Sequence, residues 1–343
     1  MKKWLVAPAV LAALAAVASA GATSGTSTQA AAKKFDPTCG AARTATRTVN
    51  GTLGSVTLHG TPTRVVALEF SFVDDLVQVG VKPVGVADDN NSSEIIAPVR
   101  AKLGQYTSVG LRSAPNLETI ASLHPDLIIA DPSRDANIYN QLQQIAPTIA
   151  LDSLKEAYLP NLHAAIVIGQ AVNKCGAMVR RVEQDKMIIA RMKAAVTKAT
   201  NGKGETRKAM FVVDTNKIWN VHSNLAYTPS LLQAIGIPDA NILPTNSTNL
   251  GNPYIVMSEE DLLNNNPDII FHADTPPGPL YSVWAQDQLF PTLNAVKNHQ
   301  VYSVNVNLWS KARGLQAGEL ICQQAVHLLY HKFVSIALPN IST

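Results

Sequence analysis

Apolar and polar positions alternate along this chain in two patterns, short apolar runs and longer stretches with helical spacing. Apolar runs of strand length lie at 64–68, 82–88 and 126–131, and segments with helical spacing follow them. Strands that alternate with helices predict sheets whose faces are covered by helices. Hairpin-like runs at 208–213 and 218–222, after the breaker sequence NGKGETR, predict the start of a second lobe.

One segment between the two sets of strands has a continuous helical pattern. From about Leu159 to Ala199 apolar residues recur at helical spacing, no proline follows Pro160, and Gly169 and Gly176 are weak breakers. We therefore predict one long helix, which would span roughly 60 Å at the rise of an α-helix and reach across both lobes. The predicted fold class is α/β, with two Rossmann-like lobes joined by a long rigid α-helix.

Two distant segments share a short helix, a Pro-Asp pair and a buried strand. NLETIASLHPDLIIAD covers residues 116–131 and SEEDLLNNNPDIIFHAD covers residues 258–274. The offset that separates the two Pro-Asp pairs also carries Glu118 onto Glu260. A Pro-Asp pair before a strand is a common α/β turn, but the matched glutamates favour two related lobes. Two lobes enclose a cleft, and open α/β sheets bind ligands beyond the carboxyl ends of their strands.

The N-terminus has the pattern of a secretory signal peptide. Lys2 and Lys3 precede an apolar run too short to span a bilayer, and Ala18-Ser19-Ala20 fits a cleavage site. The run has no twin arginine, and the first cysteine after it is distant, so we predict Sec export to the periplasm without a lipid anchor. The predicted divisions are a signal peptide at 1–20, a flexible leader at 21–45, an N-terminal α/β lobe at 46–153, a linking helix at 154–200 and a C-terminal α/β lobe at 201–343.

The composition argues against several classes of function. The formal net charge is +3, and the chain has no dense block of Lys and Arg, so a nucleic-acid surface is not expected. The eight histidines are scattered, which argues against direct metal binding. No nucleophile elbow, phosphate loop, dinucleotide fingerprint or H-E-x-x-H motif occurs, so we predict no enzyme, with a secreted α/β hydrolase as a remote alternative. Cys39, Cys175 and Cys322 allow at most one internal disulfide, and their pairing stays open.

The chain resembles the siderophore-type substrate-binding proteins of ABC importers in four stretches. These are RVVALEFSFVDDLVQVGVKPVGVADDN, SVGLRSAPNLETIASLHPDLIIAD, QLQQIAPTIAL and LWSKARGLQAGELI. The resemblance runs from about Arg64 to the C-terminus and is densest in the first lobe. It implies the class III periplasmic binding protein fold, a shallow cleft, and delivery of a ferric chelate to an inner-membrane permease. Iron(III) dicitrate is the expected chelate, and a hydroxamate or catecholate siderophore, haem or cobalamin remains the alternative.

The resemblance implies that arginines of the first lobe bind the chelate. Arg112, between a strand and a helix, matches a family arginine that meets the chelate's oxygens, and Arg134 follows the strand DLIIA at the same sheet edge. Guanidinium groups bind carboxylates through paired, charge-assisted hydrogen bonds. The iron then needs no direct protein ligand and no other cofactor is expected, so iron is bound only as a chelate.

The second lobe contributes the rest of the predicted ligand-binding set. Arg313 and Trp309, in LWSKARG, match an arginine and a cleft-lining tryptophan of the family. Lys311 stands where the family more often has arginine, and a lysine provides a point charge in place of a planar fork. Trp219, in the predicted hairpin, is a further candidate, although packing in the core is at least as good an explanation for it.

The repeated glutamates have two possible roles. Glu118 and Glu260 stand at the starts of equivalent helices, where the helix dipole favours a carboxylate. In the family, these positions carry surface glutamates that dock each lobe onto arginines of the permease dimer, and Glu259 competes with Glu260 for the second assignment. The resemblance thus implies one anion per lobe for a two-fold partner, presented by a monomer.

Overall fold

Two α/β lobes make up the fold, which the computed structural model describes for residues 46–215, 218–241, 253–274 and 288–337. The described residues belong to one compact unit. Each lobe contains a five-stranded sheet, as the alternating pattern of the sequence predicts. Among the described residues no helix has both the length and the apolar character needed to cross a membrane.

The first lobe is built on a parallel sheet. Its strands are β1 (Thr46–Gly51), β2 (Gly54–His59), β3 (Val65–Ala67), β4 (Gly85–Val86), β5 (Thr107–Ser108), β6 (Gly110–Leu111), β7 (Ala114–Pro115), β8 (Leu127–Ala130) and β9 (Thr148–Ala150). Its helices are α1 (Phe70–Gln78), α2 (Ala97–Leu103), α3 (Leu117–Ser122), α4 (Pro132–Asp135) and α5 (Tyr139–Ile145). The sheet has the order β5-β4-β3-β8-β9, and β1 with β2 and β6 with β7 form separate antiparallel hairpins. Strands β3 and β8 are wholly buried, which explains their continuous apolar sequences.

Two helices, not one, occupy the segment between the lobes. They are α6 (Tyr158–Ala171) and α7 (Cys175–Ala199), so the prediction of a single helix through the linking segment 154–200 is wrong. The chain turns at Asn173, whose φ of 56° is left-handed, and Tyr158 at the start of α6 donates a 2.5 Å hydrogen bond to Asp185 in α7. The helices therefore run antiparallel, and Gly169 lets them approach, because a Cβ there would clash with Met178. The long helix of the fold is α7, with 25 residues and a length of about 37 Å.

The second lobe is built on a mixed sheet. Its strands are β10 (Ala209–Thr215), β11 (Ile218–His222), β12 (Tyr254–Met257), β13 (Ile269–Asp274) and β14 (Val301–Ser303). Its helices are α8 (Tyr227–Ala234), α9 (Glu259–Asn265), α10 (Asn294–Lys297) and α11 (Leu315–Tyr330), with a π-helical turn at Asn307–Lys311. The order is β12-β11-β10-β13-β14, and β10, β13 and β14 are parallel. The predicted hairpin is confirmed by the antiparallel pairing of β10 and β11.

Helix α6 joins the two hydrophobic cores. Ala164, Val167 and Ile168 belong to the core of the first lobe, whereas Leu162 and Ala165 belong to the core of the second lobe, together with residues of α7 and α11. Burying one Leu or Ile side chain contributes about 1.5 to 3 kcal/mol. A large rotation of one lobe against the other would expose one of these faces, so the junction resists hinge opening.

The two copies of the repeated pattern adopt the same local structure. Asn116 and Ser258, at matched positions, cap α3 and α9 by accepting hydrogen bonds from the backbone N–H three residues later. In both lobes the aspartate of the Pro-Asp pair forms hydrogen bonds with the chain that leads into a neighbouring strand. Asp126 accepts from the backbone of Arg64, and Asp268 accepts from the backbone of Lys208. The sequence repeat therefore reflects two structurally equivalent units.

The cysteines differ in their bonding. Cys175, the first residue of α7, is disulfide-bonded, whereas Cys322 in α11 is a buried free thiol. Burial raises the pKa of the Cys322 thiol, so it remains protonated and packs as a small apolar residue. The predicted signal peptide, the flexible leader and Cys39 lie outside the described residues.

Candidate functional site

Loops at one edge of the first sheet carry the polar side chains of the cleft. Glu69 follows β3, Asp89 follows β4, Arg134 follows β8 in α4, and Arg112 lies in the turn between β6 and β7. Because parallel strands end at the same edge, residues far apart in sequence meet there. The structure thus brings the two predicted first-lobe arginines together, as expected from their positions after strands.

A buried carboxylate lies at the centre of this site. Glu69 is 0% exposed, and its Oε1 accepts a hydrogen bond from Nε of Arg134. Its Oε2 accepts from Nη1 of Arg112 at 3.2 Å and from Nη2 of Arg313 at 2.9 Å. Burial alone would raise the pKa of Glu69, but the charges of Arg313, Arg112 and Arg134 hold that pKa below its ordinary value. One ionised carboxylate therefore links guanidinium groups from both lobes.

Arg112 is fixed by a second carboxylate and by an aromatic ring. Its Nε and Nη2 donate to Oδ2 of Asp89 at 3.0 and 2.7 Å, and its backbone N–H donates to Oδ1 of Asp89 at 2.8 Å. The guanidinium carbon lies 4.0 Å from the centroid of the Phe70 ring. With 6% of its side chain exposed, Arg112 is rigidly placed and has few N–H groups left for a ligand.

Arg134 has more open donor groups than the other two arginines. The N-cap of α4 is Asp131, which accepts a hydrogen bond from the backbone N–H of Ser133 at 2.6 Å and fixes the start of this short helix. Only Nε of Arg134 is engaged, by Glu69, and among the described residues its two terminal nitrogens have no partner. Its side chain is 19% exposed, so these nitrogens are available to an anion in the cleft.

Arg313 brings the second lobe against the first. It lies just before α11, is 4% exposed, and donates through Nη1 to the carbonyl of Ser310 at 2.7 Å and through Nη2 to Glu69. The next residue, Gly314, permits this close approach, because a Cβ there would clash with the side chain of Asp74 in α1. Arg313 is thus part of the interface between the lobes as well as of the site.

A second ion pair crosses between the lobes. Nζ of Lys311 donates to Oε2 of Glu94 at 2.6 Å, and these side chains are 26% and 18% exposed. Glu94 ends a one-turn 3-10 helix of the first lobe. Lys311 is therefore at the cleft as predicted, but its charge is balanced by a carboxylate that the sequence does not single out.

Neutral aromatic side chains of the second lobe lie near Arg313. The ring of His222 lies 4.7 Å from the rings of both Phe211 and Tyr254, measured between centroids. Burial, and then the charge of Arg313, lower the pKa of His222 to about 3, so its imidazole is neutral. Tyr254 donates to the carbonyl of Leu154, at the junction that leads into α6. Such surroundings exclude water and strengthen the hydrogen bonds that the arginines make.

The two predicted tryptophans lie in the core of the second lobe. Trp309 is 0% exposed, donates through Nε1 to Gln324 at 2.9 Å and packs on Phe271. Trp219 is 2% exposed and packs against Phe290 on the other face of the sheet. Neither indole lines the cleft, which corrects the expectation that Trp309 contacts the ligand and decides for core packing in the case of Trp219. Their aromatic side chains are large, and the sheet faces of this lobe provide the apolar surroundings that bury them.

The matched glutamates lie on the surface of the two lobes. Glu118 and Glu260 are exposed in the first turns of α3 and α9, where a carboxylate interacts favourably with the helix dipole. Glu259, its neighbour, is partly buried. Glu260 is therefore more accessible than Glu259.

Sequence reasoning missed the acidic half of the site. Sequence reasoning singles out neither Glu69 nor the neighbouring pair Asp88 and Asp89, although adjacent loop carboxylates are usually solvated. Asp88 instead is 4% exposed and accepts hydrogen bonds from Tyr106 at 2.9 Å and from Ser108. The available signal was position, because Glu69 and Asp89 lie within three residues of the carboxyl ends of β3 and β4. Among the described residues there is no group of three or more His, Cys, Asp or Glu side chains that could hold a metal ion.

The fold and the site are those of a two-lobed substrate-binding protein, with two sheets, the helices α6 and α7 between them, and arginines where the lobes meet. Residues 65–307 match the family model of the periplasmic binding proteins, and the chain belongs to this family. It is 38% identical to the Fe(3+) dicitrate-binding periplasmic protein FecB of Escherichia coli, over 84% of this chain and 92% of that protein. It is 35% identical to the Fe(3+)-citrate-binding protein YfmC of Bacillus subtilis, over 83% of this chain and 87% of that protein. The crystal structure of Staphylococcus aureus SirA complexed with staphyloferrin B has the same fold, with a TM-score of 0.72 at 24% identity, over 82% of this chain and 98% of that one.

Proposed function

We propose that this chain is the extracytoplasmic substrate-binding component of an ABC importer and that it binds iron(III) dicitrate in the cleft between its lobes. The proposal is supported by the names of two relatives, which are an iron(III) dicitrate-binding and an iron(III) citrate-binding protein. It also rests on the arginines that surround Glu69, because guanidinium groups suit a ligand that presents carboxylate oxygens.

The observation that carries the proposal is the convergence of cationic side chains at the cleft. Four of them meet there from both lobes, and two keep partly exposed charged groups: Arg112, Arg134, Arg313 and Lys311. An anionic chelate offers several oxygens to such a site at once. Its iron is already coordinated by the chelator, so the protein supplies hydrogen bonds and no metal ligand, and no other cofactor is required.

The main alternative keeps the scaffold and changes the ligand. A hydroxamate siderophore, haem or cobalamin would need fewer charged donors and more apolar contact than the arginine cluster provides. Hydrolysis is a remote alternative, because the cleft residues described above include no nucleophile held by a general base. Turnover of generic esters or phosphates that is abolished by replacing one side chain would establish it.

A titration with a ligand panel tests the proposal. Purified residues 21–343 would be titrated calorimetrically with ferric citrate, a ferric hydroxamate, haem, cobalamin and iron-free citrate. We expect micromolar or tighter binding of ferric citrate, which corresponds to about 8 kcal/mol or more. Binding of a ferric hydroxamate without binding of ferric citrate would leave the fold intact and show that the assigned ligand is wrong.

We further propose that the protein is exported through Sec to the periplasm, remains a monomer and docks on a permease dimer through Glu118 and Glu260. The exposure of both carboxylates on equivalent helices supports this role, and exposed ion pairs mainly affect encounter rate and register. Cell fractionation and the mass of the mature protein test the location. A mature chain that begins after Ala20 and carries no lipid is the expected result.

A further inference from the structure

The three arginines of the cleft do not present all of their donor groups to a ligand. Glu69 accepts one hydrogen bond from each of them, and Asp89 accepts two more from the guanidinium of Arg112. A guanidinium has five N–H groups, so these internal carboxylates use a substantial part of the donors. They also remove much of the positive charge that would attract any small anion.

Glu69 neutralises the arginines from their buried side. Glu69 has no exposed surface and lies behind the arginines, so a ligand does not contact it directly. The less buried cationic groups are Arg134 and Lys311, at 19% and 26% exposure of the side chain. A ligand must therefore gain its affinity from outer donors that belong to different lobes.

We propose that Glu69 is a specificity-determining residue that weakens the binding of small free carboxylates more than the binding of an extended multidentate chelate. This inference rests on the proposed function for its natural ligand. A small flexible carboxylate reaches few of the outer donors and loses rotational freedom when it binds. A rigid chelate reaches donors of both lobes together, so it tolerates the reduced charge of the cleft.

A purely structural role for Glu69 makes a different prediction. If Glu69 only held the lobes in place, any replacement would weaken every ligand in proportion to the damage. If its negative charge sets specificity, Glu69→Gln should strengthen the binding of small carboxylates, because the guanidinium groups are then no longer neutralised and can bind another anion. Glu69→Asp keeps the charge and should keep the specificity, even where the shorter side chain lowers thermal stability.

The experiment compares wild type, Glu69→Gln and Glu69→Asp in calorimetric titrations with iron-free citrate and with ferric citrate. We expect the affinity of Glu69→Gln for iron-free citrate to rise by about tenfold or more, since one charged hydrogen-bonding partner is removed from each arginine. The preference for ferric citrate over citrate should fall by a similar factor. Glu69→Asp should keep this preference within about threefold of wild type.

The matched control is Glu205→Gln. Glu205 is also a paired carboxylate, bound to Arg207 and Tyr330, but Tyr330 ends α11, about 22 Å along that helix from Arg313. We expect this variant to bind both ligands as wild type does. Should Glu69→Gln fail to fold by circular dichroism, Asp89→Asn provides the same test, because it releases the guanidinium of Arg112 from the other side.

Two results would overturn the proposal. One is an unchanged or increased preference for ferric citrate in the well-folded neutral variant. The other is an equal loss of preference in Glu69→Gln and Glu69→Asp, which would indicate a structural role. If wild type binds no ferric citrate, the proposed function fails, yet the change in citrate affinity between wild type and Glu69→Gln still decides the role of Glu69.

Discussion

Replacing Arg134 by alanine tests whether the arginines of the cleft bind the ligand. The two terminal nitrogens of Arg134 are unengaged among the described residues, so they are the donors most available to a chelate carboxylate. Loss of a charged hydrogen bond costs about 1.5 to 3 kcal/mol, which corresponds to a decrease in affinity of roughly 10- to 150-fold. The fold should persist, because Glu69 keeps its contacts with Arg112 and Arg313.

The measurement is a calorimetric titration with ferric citrate, together with thermal unfolding of each variant. Arg134→Lys should lie between wild type and Arg134→Ala, because lysine keeps the charge but not the planar fork. Arg180→Ala, on the exposed surface of α7, serves as the control and should bind as wild type does. A loss of less than about twofold in folded Arg134→Ala would refute a role for Arg134 in binding.

Three further predictions concern docking, motion and pH. Glu118→Ala combined with Glu260→Ala should leave chelate affinity unchanged but abolish iron-citrate uptake by cells; normal uptake would leave both glutamates with only their interaction with the helix dipole. Small-angle scattering should show little change in radius of gyration on ligand binding, because α6 is buried in both cores, and a large decrease would contradict a rigid junction. Burial raises the pKa of Asp185 to about 7. Between about pH 4 and pH 7 the folded protein therefore keeps a proton that the unfolded chain loses, so the free energy of unfolding should fall as the pH rises through this range. Asp185→Asn should lose this part of the pH dependence of thermal unfolding and the exposed Glu183→Gln should keep it; identical profiles for the two variants would show that Asp185 is not the source.

Local features of the fold are predictable from the sequence because their causes are local. The apolar run at Val65–Ala67 needs two covered faces, and the repeated Pro-Asp pairs end a helix and begin a strand in both lobes. The pairing of β10 with β11 follows from two short apolar runs that lie close together in the sequence. The position of Arg134 at this sheet edge also follows from the sequence, since it comes after a strand of the parallel sheet, whereas Arg112 lies in the β6–β7 hairpin.

Other features depend on contacts that no local pattern contains. The apolar spacing of α6 and α7 is compatible with one helix, and only the packing of Gly169 on Met178 and the left-handed turn at Asn173 separate them. Trp309 matches a cleft-lining position in sequence and Trp219 is compatible with either cleft or core, but the second lobe buries both of them. A residue's helical or strand spacing does not specify which surface it will pack against.

The charged residues of the cleft show most clearly what the sequence determines and what only the tertiary structure decides. The sequence by itself determines that arginines follow strands in one lobe and precede the last helix in the other. Only the tertiary structure decides that Glu69 contacts Arg112, Arg134 and Arg313, because these residues are distant in sequence and meet when the lobes pack together. A buried carboxylate is stable there because three guanidinium groups offset the cost of its desolvation, and this compensation exists only in the folded protein.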